Sequence, residues 1–258
     1  MIEETDNKLE LVLKNISATF TSGHEILTAL DNVSITVSPG EFVSVLGPSG
    51  CGKTTLLKIA AGLVNPDRGH VLLGEVNITG KPQRVGYMPQ QDLLLPWKTL
   101  MQNATLPLRA AGTDKKSAEQ QVSQMLPMFG LGGFEDYYPA QLSGGMRQRC
   151  ALLRTMMIEG NLMLLDEPFA SLDALTREKL QHWLIDVWSR FKKSTLFVTH
   201  SIDEAIFLSD RIYVMSERPG KIILEERINL PRPRKKSVIT TPNFSLYKQM
   251  LMNTLTGY

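Results

Sequence analysis

The sequence predicts an α/β fold in which a mostly parallel sheet carries a phosphate-binding turn, beside an antiparallel β subdomain and an inserted α-helical subdomain. Three observations point there. Apolar runs at Phe42–Leu46, Leu162–Leu165 and Thr195–Thr199 are short and rich in branched residues, the pattern of strands buried on both faces. The segment GPSGCGKT at Gly47–Thr54 follows the first run and leads into a helical pattern at Thr54–Gly62. From Asp92 to about Gly160 the strand pattern gives way to helical spacing, which marks an insertion.

In chain order, Leu11–Ser17, Ser34–Val37 and His70–Leu73 are expected to build the antiparallel sheet. Phe42–Leu46, Arg84–Met88, Leu162–Leu165, Thr195–Thr199 and Arg211–Met215 are expected to build the parallel one. The chain then divides into a core (1–90 and 161–230, antiparallel subdomain included), a helical subdomain (91–160) and a short C-terminal tail (231–258). With 258 residues and 43% hydrophobic content it can bury one large core. Leu180, Trp183, Leu184, Val187, Trp188 and Phe191 recur at helical spacing within Leu175–Phe191 and are read as core packing. The basic run PRPRKK at Pro231–Lys236 is read as a solvated tail, with contact to anionic lipid or a partner as the other reading.

Composition narrows the function. A formal net charge of +2 gives no nucleic-acid footprint, so no nucleic-acid partner is expected. Two cysteines, one of them in the glycine loop, suit a reducing cytosol rather than a disulfide scaffold. The acidic start MIEETDNKLE carries no leader pattern. Arg154 and Glu159 interrupt the best apolar run short of the ~20 residues a membrane span needs. Any membrane attachment is therefore expected through a partner.

The glycine loop is read as a cradle for nucleotide phosphates. Strand, loop and helix together aim a row of backbone N–H groups and a helix N-terminus at anionic oxygens. Gly47, Pro48, Ser49, Gly50, Cys51, Gly52, Lys53, Thr54 and Thr55 are the candidate contacts. Lys53 is placed to reach the β- and γ-phosphates, and the Thr54 hydroxyl to ligate Mg²⁺. Cys51 has two readings. A helix N-terminus and Lys53 nearby favour its thiolate, whereas a small apolar side chain can simply fill space.

NLMLLDEP at Asn161–Pro168 delivers Asp166 and Glu167 to the C-terminal end of a strand, where open parallel sheets bind ligands. Successive residues of an extended segment face opposite sides, so the two acids are assigned different roles. Asp166 suits Mg²⁺ binding through water, and Glu167 suits a general base acting on the attacking water. LFVTHS at Leu196–Ser201 likewise presents His200, a candidate for holding that water against the γ-phosphate. Gln90 ends another strand, and its neutral carbonyl can ligate Mg²⁺ or position water.

A second glycine motif, LSGGMRQR at Leu142–Arg149, places Ser143, Gly144 and Gly145 before a helical run. Ser143 alone reads as an N-cap. Two glycines beside it leave the amides bare, as anion binding requires. A second donor set serves a purpose in a twofold pairing where each motif caps the nucleotide held by the other chain. Leu93–Trp97 is an apolar cluster with Pro96 barring a regular helix; it reads as core packing or as a groove wall for a partner's helix.

From about Leu11 to Arg227, the order of these motifs resembles the ATP-binding-cassette ATPases, which share a P-loop NTPase (RecA-like) core. The resemblance implies ATP and Mg²⁺ as ligands and hydrolysis at a shared seam. It also implies that Phe20 stacks on adenine, an aromatic face suited to any purine, and that Asp173 lies at that seam. LLLPWKTL and IDEAIFLSDRIYVMSERPGKI are similar to the importers of the nitrate, sulfonate and taurine group, and to those of bicarbonate and a pyrimidine thiamine precursor. Pro89, Ser171 and Ser201 depart from the usual family residues without removing a catalytic group. The implied partners are integral membrane permease subunits, a second ATPase subunit and, indirectly, a solute-binding protein, with the chain held at the cytoplasmic face of the membrane. The alternatives are an exporter motor or a non-transport cassette ATPase of DNA repair or translation. The latter is disfavoured by a single uninterrupted cassette.

Overall fold

The structure is a computed structural model that describes residues 9–22, 25–83 and 85–257. Its strands, numbered in chain order, form two sheets. β1 (Leu11–Ser22), β2 (Glu25–Val37), β4 (Arg68–Leu73) and β5 (Val76–Asn77) lie antiparallel in the order β2-β1-β4-β5. β3 (Phe42–Leu46), β6 (Gly86–Met88), β7 (Leu162–Asp166), β8 (Ser194–Thr199), β9 (Arg211–Met215) and β10 (Ile222–Arg227) follow the order β10-β9-β3-β8-β7-β6. All neighbours in this second sheet run parallel except β9 and β10.

The parallel strands are continuously apolar because they feed two cores. Val43, Val45, Leu164, Leu196 and Val198 face α1 (Lys53–Ala60) and the antiparallel sheet. Phe42, Leu46, Met163, Leu165 and Phe197 face the helices of the other layer. These are α2 (Leu100–Ala104), α3 (Leu106–Ala110), α4 (Lys115–Phe129), α5 (Gly144–Met156), α6 (Ala174–Phe191), α7 (Ile202–Leu208) and α8 (Pro242–Thr256). Alternation along each strand thus sends successive side chains into different cores. No helix among the described residues is long and apolar enough to cross a membrane.

Several elements differ from expectation. β1 and β2 extend well beyond Leu11–Ser17 and Ser34–Val37, because register shifts at Leu13/Ile16, Ile16/Ala18 and Ala18/Thr19 break the period-two pattern that sequence reading relies on. Asn15 and Asn32, at φ 53° and 56°, sit at this irregularity and bond to each other, Asn15 Nδ2 to Asn32 Oδ1 at 2.8 Å. β10 is an added edge strand. The expected strand start at Arg84 lies outside the described residues, as do Met1–Lys8 of the acidic start. Phe191 is 39% exposed rather than core, being the last residue of α6, whereas Leu180, Leu184, Val187 and Trp188 are buried.

The solvated-tail reading of PRPRKK holds for the exposed Pro231, Pro233, Lys235 and Lys236 and is corrected for its two arginines. Arg234 is 3% exposed and donates through Nη1 to the carbonyls of Ile206, Phe207 and Ser209, covering the open C-terminal end of α7. Arg232 bonds Asp210 at 2.8 Å and stacks over Trp188. Beyond them α8 buries Phe244 and Leu251. A run of positive charge gives no sign of the orphan carbonyls that draw it inward.

Candidate active site

The loop between β3 and α1 is built on glycines where no side chain fits. Gly50 and Gly52 take φ 78° and 105°, and a Cβ on Gly52 would lie 2.7 Å from the Ala29 carbonyl oxygen of β2. Lys53, 4% exposed, donates to the carbonyls of Gly47 and Pro48 at 2.8 Å each. Its Nζ also lies 3.6 Å from Glu167 Oε1. A buried ammonium thus stands at the start of a helix, with its loop wrapped around it.

β7 and β8 bring the acids and the histidine to this loop. Thr54 Oγ1 donates to Asp166 Oδ1 at 3.1 Å. Burial pushes the Asp166 carboxyl up, against the lowering effect of that hydrogen bond. Glu167 Oε2 lies 2.9 Å from His200 Nδ1. The two acids do take different partners, but not because the segment is extended: Glu167 is at φ 44°, its N–H donating to the Val198 carbonyl. The chain turns left-handed just where the strand ends.

A cavity of about 340 Å³ runs over the loop. Its walls include Phe20, Ser49, Gly50, Gly52, Lys53, Thr54, Thr55, Gln90 and Glu167, so residues far apart in sequence meet in one cleft. Phe20 is 40% exposed at its edge, a free aromatic face rather than a core side chain. Cys51 is different. It is 1% exposed, and burial raises its thiol pKa despite the nearby Lys53, so the expected thiolate is overturned and the space-filling reading holds.

Ser143, Gly144, Gly145 and Asp173 lie outside that cavity within the chain. Ser143 is the N-cap of α5, accepting from Met146 N–H at 3.3 Å, and Asp173 caps α6 in the same way. A Cβ on Gly145 would come 3.2 Å from Thr176 Cγ2, so close packing on α6 is a second reason for that glycine.

Gln90 also lines a larger opening of about 710 Å³, together with Asp92, Leu93, Arg147 and Ser171. α5 grips the segment after Gln90: Arg147 pairs with Asp92 at 3.3 Å, and Arg154 donates to the carbonyls of Asp92 and Leu93 at 2.7 and 2.8 Å. Leu94 is buried, whereas Leu93 and Trp97 are 55% and 70% exposed, which removes the core-packing reading for those two.

Sequence reasoning assigned no role to two further features. Arg218 lines the loop cavity and donates to the Gly50 carbonyl. Glu204, buried on α7, accepts from Thr199 and Gln181 and lies 4.0 Å from Arg177, whose Nη2 donates to the Leu172 carbonyl. It joins the His200 turn to the turn before α6. The run SERPGKI was the signal available for Arg218; nothing local marks Glu204 beyond its place on an apolar helix face.

Comparison with known proteins agrees with this geometry. The ABC transporter family profile matches residues 30–170. An uncharacterized ABC transporter ATP-binding protein of Methanocaldococcus jannaschii is 44% identical, with 96% of this chain and 92% of the relative covered. The formylaminopyrimidine import ATP-binding protein of Halalkalibacterium halodurans is 40% identical, with 93% and 92% covered. The aliphatic sulfonates import ATP-binding protein of Bacillus cereus is 41% identical, with 87% and 88% covered. A solved dimeric ATP-binding cassette in a post-hydrolysis state, bound to ADP and Pi, has a TM-score of 0.75 at 32% identity, covering 86% of this chain and 100% of that one.

Proposed function

The chain belongs to the ABC transporter ATP-binding family, and from that premise we propose that it is the motor subunit of an importer for a small solute, working as a head-to-tail pair. One observation carries the reading: Phe20, the phosphate loop, Gln90 and Glu167 share a single cavity. An aromatic platform at one end and an ammonium, hydroxyls and a carboxylate at the other match a base, a polyphosphate and an attacking water in sequence.

The residue roles follow from position. Lys53 neutralises the β- and γ-phosphate oxygens, and Ser49 to Thr55 offer backbone N–H groups to the same oxygens. Glu167 accepts a proton from water as the water oxygen attacks the γ-phosphorus. The bond to the bridging oxygen then breaks, and ADP departs with its electron pair. His200, 2.9 Å from Glu167, orients that carboxylate and the water. Thr54, Asp166 and Gln90 provide the hydroxyl, carboxylate and amide oxygens that suit Mg²⁺. Mg²⁺, when bound, would supply positive charge to offset that of the phosphate oxygens. Ser143, Gly144 and Gly145 would cap the partner's nucleotide, with Asp173 at the seam. ATP then favours the closed pair by the contacts it makes only across that seam.

Names of relatives support the importer over an exporter or a non-transport ATPase, and the aliphatic sulfonates and formylaminopyrimidine in those names favour a small organic solute as the cargo. Permease subunits at the cytoplasmic face of the membrane are the proposed partners, with Leu93 and Trp97 on the wall that receives them. The test is direct. Glu167→Gln should retain MgATP and accumulate as a dimer in light scattering, while Lys53→Ala should lose nucleotide binding. Equal hydrolysis by Glu167→Gln and the parent would defeat the assignment of the base.

A further inference from the structure

Lys53 is the cation the phosphate loop itself supplies, yet the same cavity is lined by a second, Arg218. Arg218 stands in the turn between β9 and β10, 168 residues along the chain from Gly50, whose carbonyl takes its Nε and Nη2 donors at 3.0 and 2.7 Å. The side chain is exposed, and among the described residues no carboxylate lies within ion-pair distance of it. A guanidinium has five N–H donors in a fixed fork. Two hold the loop, which leaves three donors and the full charge on a side chain that lines the cavity.

The turn is anchored against the base end of the cleft. Gly220 N–H donates to the Ala29 carbonyl at 3.0 Å, and Asp31 N–H donates to the Gly220 carbonyl at 3.0 Å. A Cβ on Gly220 would fall 2.2 Å from the Cys51 carbonyl oxygen, so this turn packs directly on the loop. Phe20 pairs with Leu27 in the adjoining ladder, two residues before Ala29. Arg218 therefore stands where the aromatic wall meets the phosphate loop. We infer that Arg218 is a further nucleotide-binding residue, its guanidinium contacting the ribose and α-phosphate end of a nucleoside di- or triphosphate. The inference rests on the ATPase reading and extends it to a residue outside the phosphate-loop, carboxylate and second glycine motifs.

Isothermal titration of MgATP and MgADP against the parent, Arg218→Gln and Arg218→Lys, joined to steady-state hydrolysis, tests it. Arg218→Gln should weaken both nucleotides by about ten- to a hundredfold, the worth of one charge-assisted hydrogen bond. Its KM should rise with kcat within about twofold, as for a contact made equally in ground and transition states. Arg218→Lys keeps the charge and should recover most of the affinity. The parent's Kd should also rise more steeply with salt than that of Arg218→Gln. If the parent binds and Arg218→Gln binds equally well, or loses kcat with KM unchanged, this inference alone falls. A lysine variant as weak as the glutamine variant also overturns it, leaving only a grip on Gly50. A parent that binds neither nucleotide removes the ATPase reading along with it.

Discussion

Asp166 is 2% exposed, with the Thr54 hydroxyl as its partner, and burial raises its carboxyl above the usual carboxylate range. The folded state therefore holds that proton more tightly than the unfolded chain. Stability from this group is present at low pH and is lost as pH rises from the ordinary carboxylate value through the raised one. Asp166→Asn removes the buried charge while keeping an acceptor for Thr54. Without ligand, it should melt about 2–4 °C higher at pH 7.5 for a gain near 1 kcal/mol, with the difference shrinking in acid. Its melting shift with MgATP should shrink as well; scanning calorimetry reads both, and a lower melting point would count against the burial account. The thiols follow the same rule. Cys51 is buried with a raised pKa, and Cys150 is pushed up to about 12. A thiol-counting reagent should find neither accessible on the native timescale and both after denaturation; prompt reaction of one thiol in the native protein contradicts this.

α5 does two jobs with its two ends. Its N-terminus presents Ser143 and the glycines, while Arg147 and Arg154 further along hold Asp92 and Leu93, next to Gln90. The segment bearing exposed Trp97 thus rides on the helix that would cap the partner's nucleotide. Arg154→Ala leaves two carbonyls without their donor and should cost about 2 kcal/mol, since charged hydrogen bonds are worth about 1.5–3 kcal/mol each before water replaces them. Urea unfolding measures this; a loss below about 0.5 kcal/mol would mean that water replaces the arginine fully. Trp97→Ala, by contrast, should leave the melting point and the basal ATPase rate unchanged and impair assembly with the permease. Assembly and transport unaffected by that change would remove Trp97 from the docking wall.

Within one chain the two glycine motifs do not share the loop cavity, which draws no wall from Ser143, Gly144 or Gly145. In the proposed twofold pair the two would meet without distorting either, since each chain contributes both halves. Ser143→Asp separates its two roles. Aspartate caps a helix as well as serine and suits the dipole, so the melting temperature should hold or rise. Placed against a partner's γ-phosphate, the same carboxylate should abolish the MgATP-dependent dimer of Glu167→Gln, as light scattering would report. Dimerisation at parental strength would argue that Ser143 is a cap and nothing more.

Local chemistry sufficed where neighbours in sequence are neighbours in space. Gly47–Thr54 follows its strand and opens its helix, and Asp166, Glu167 and His200 stand at or just beyond the ends of apolar runs, so their order could be read directly. Where long-range packing sets the outcome, it could not. Burial overrode the helix dipole and Lys53 at Cys51, and orphan carbonyls of α7 drew Arg234 inward from a run that looked solvated. Folding alone put Arg218 beside Gly50, because strand order brings β9 against β3 and carries the turn beyond it over the loop. Residue type and spacing encode local hydrogen bonds, whereas desolvation and distant contacts exist only once the two sheets and their helices have closed on each other.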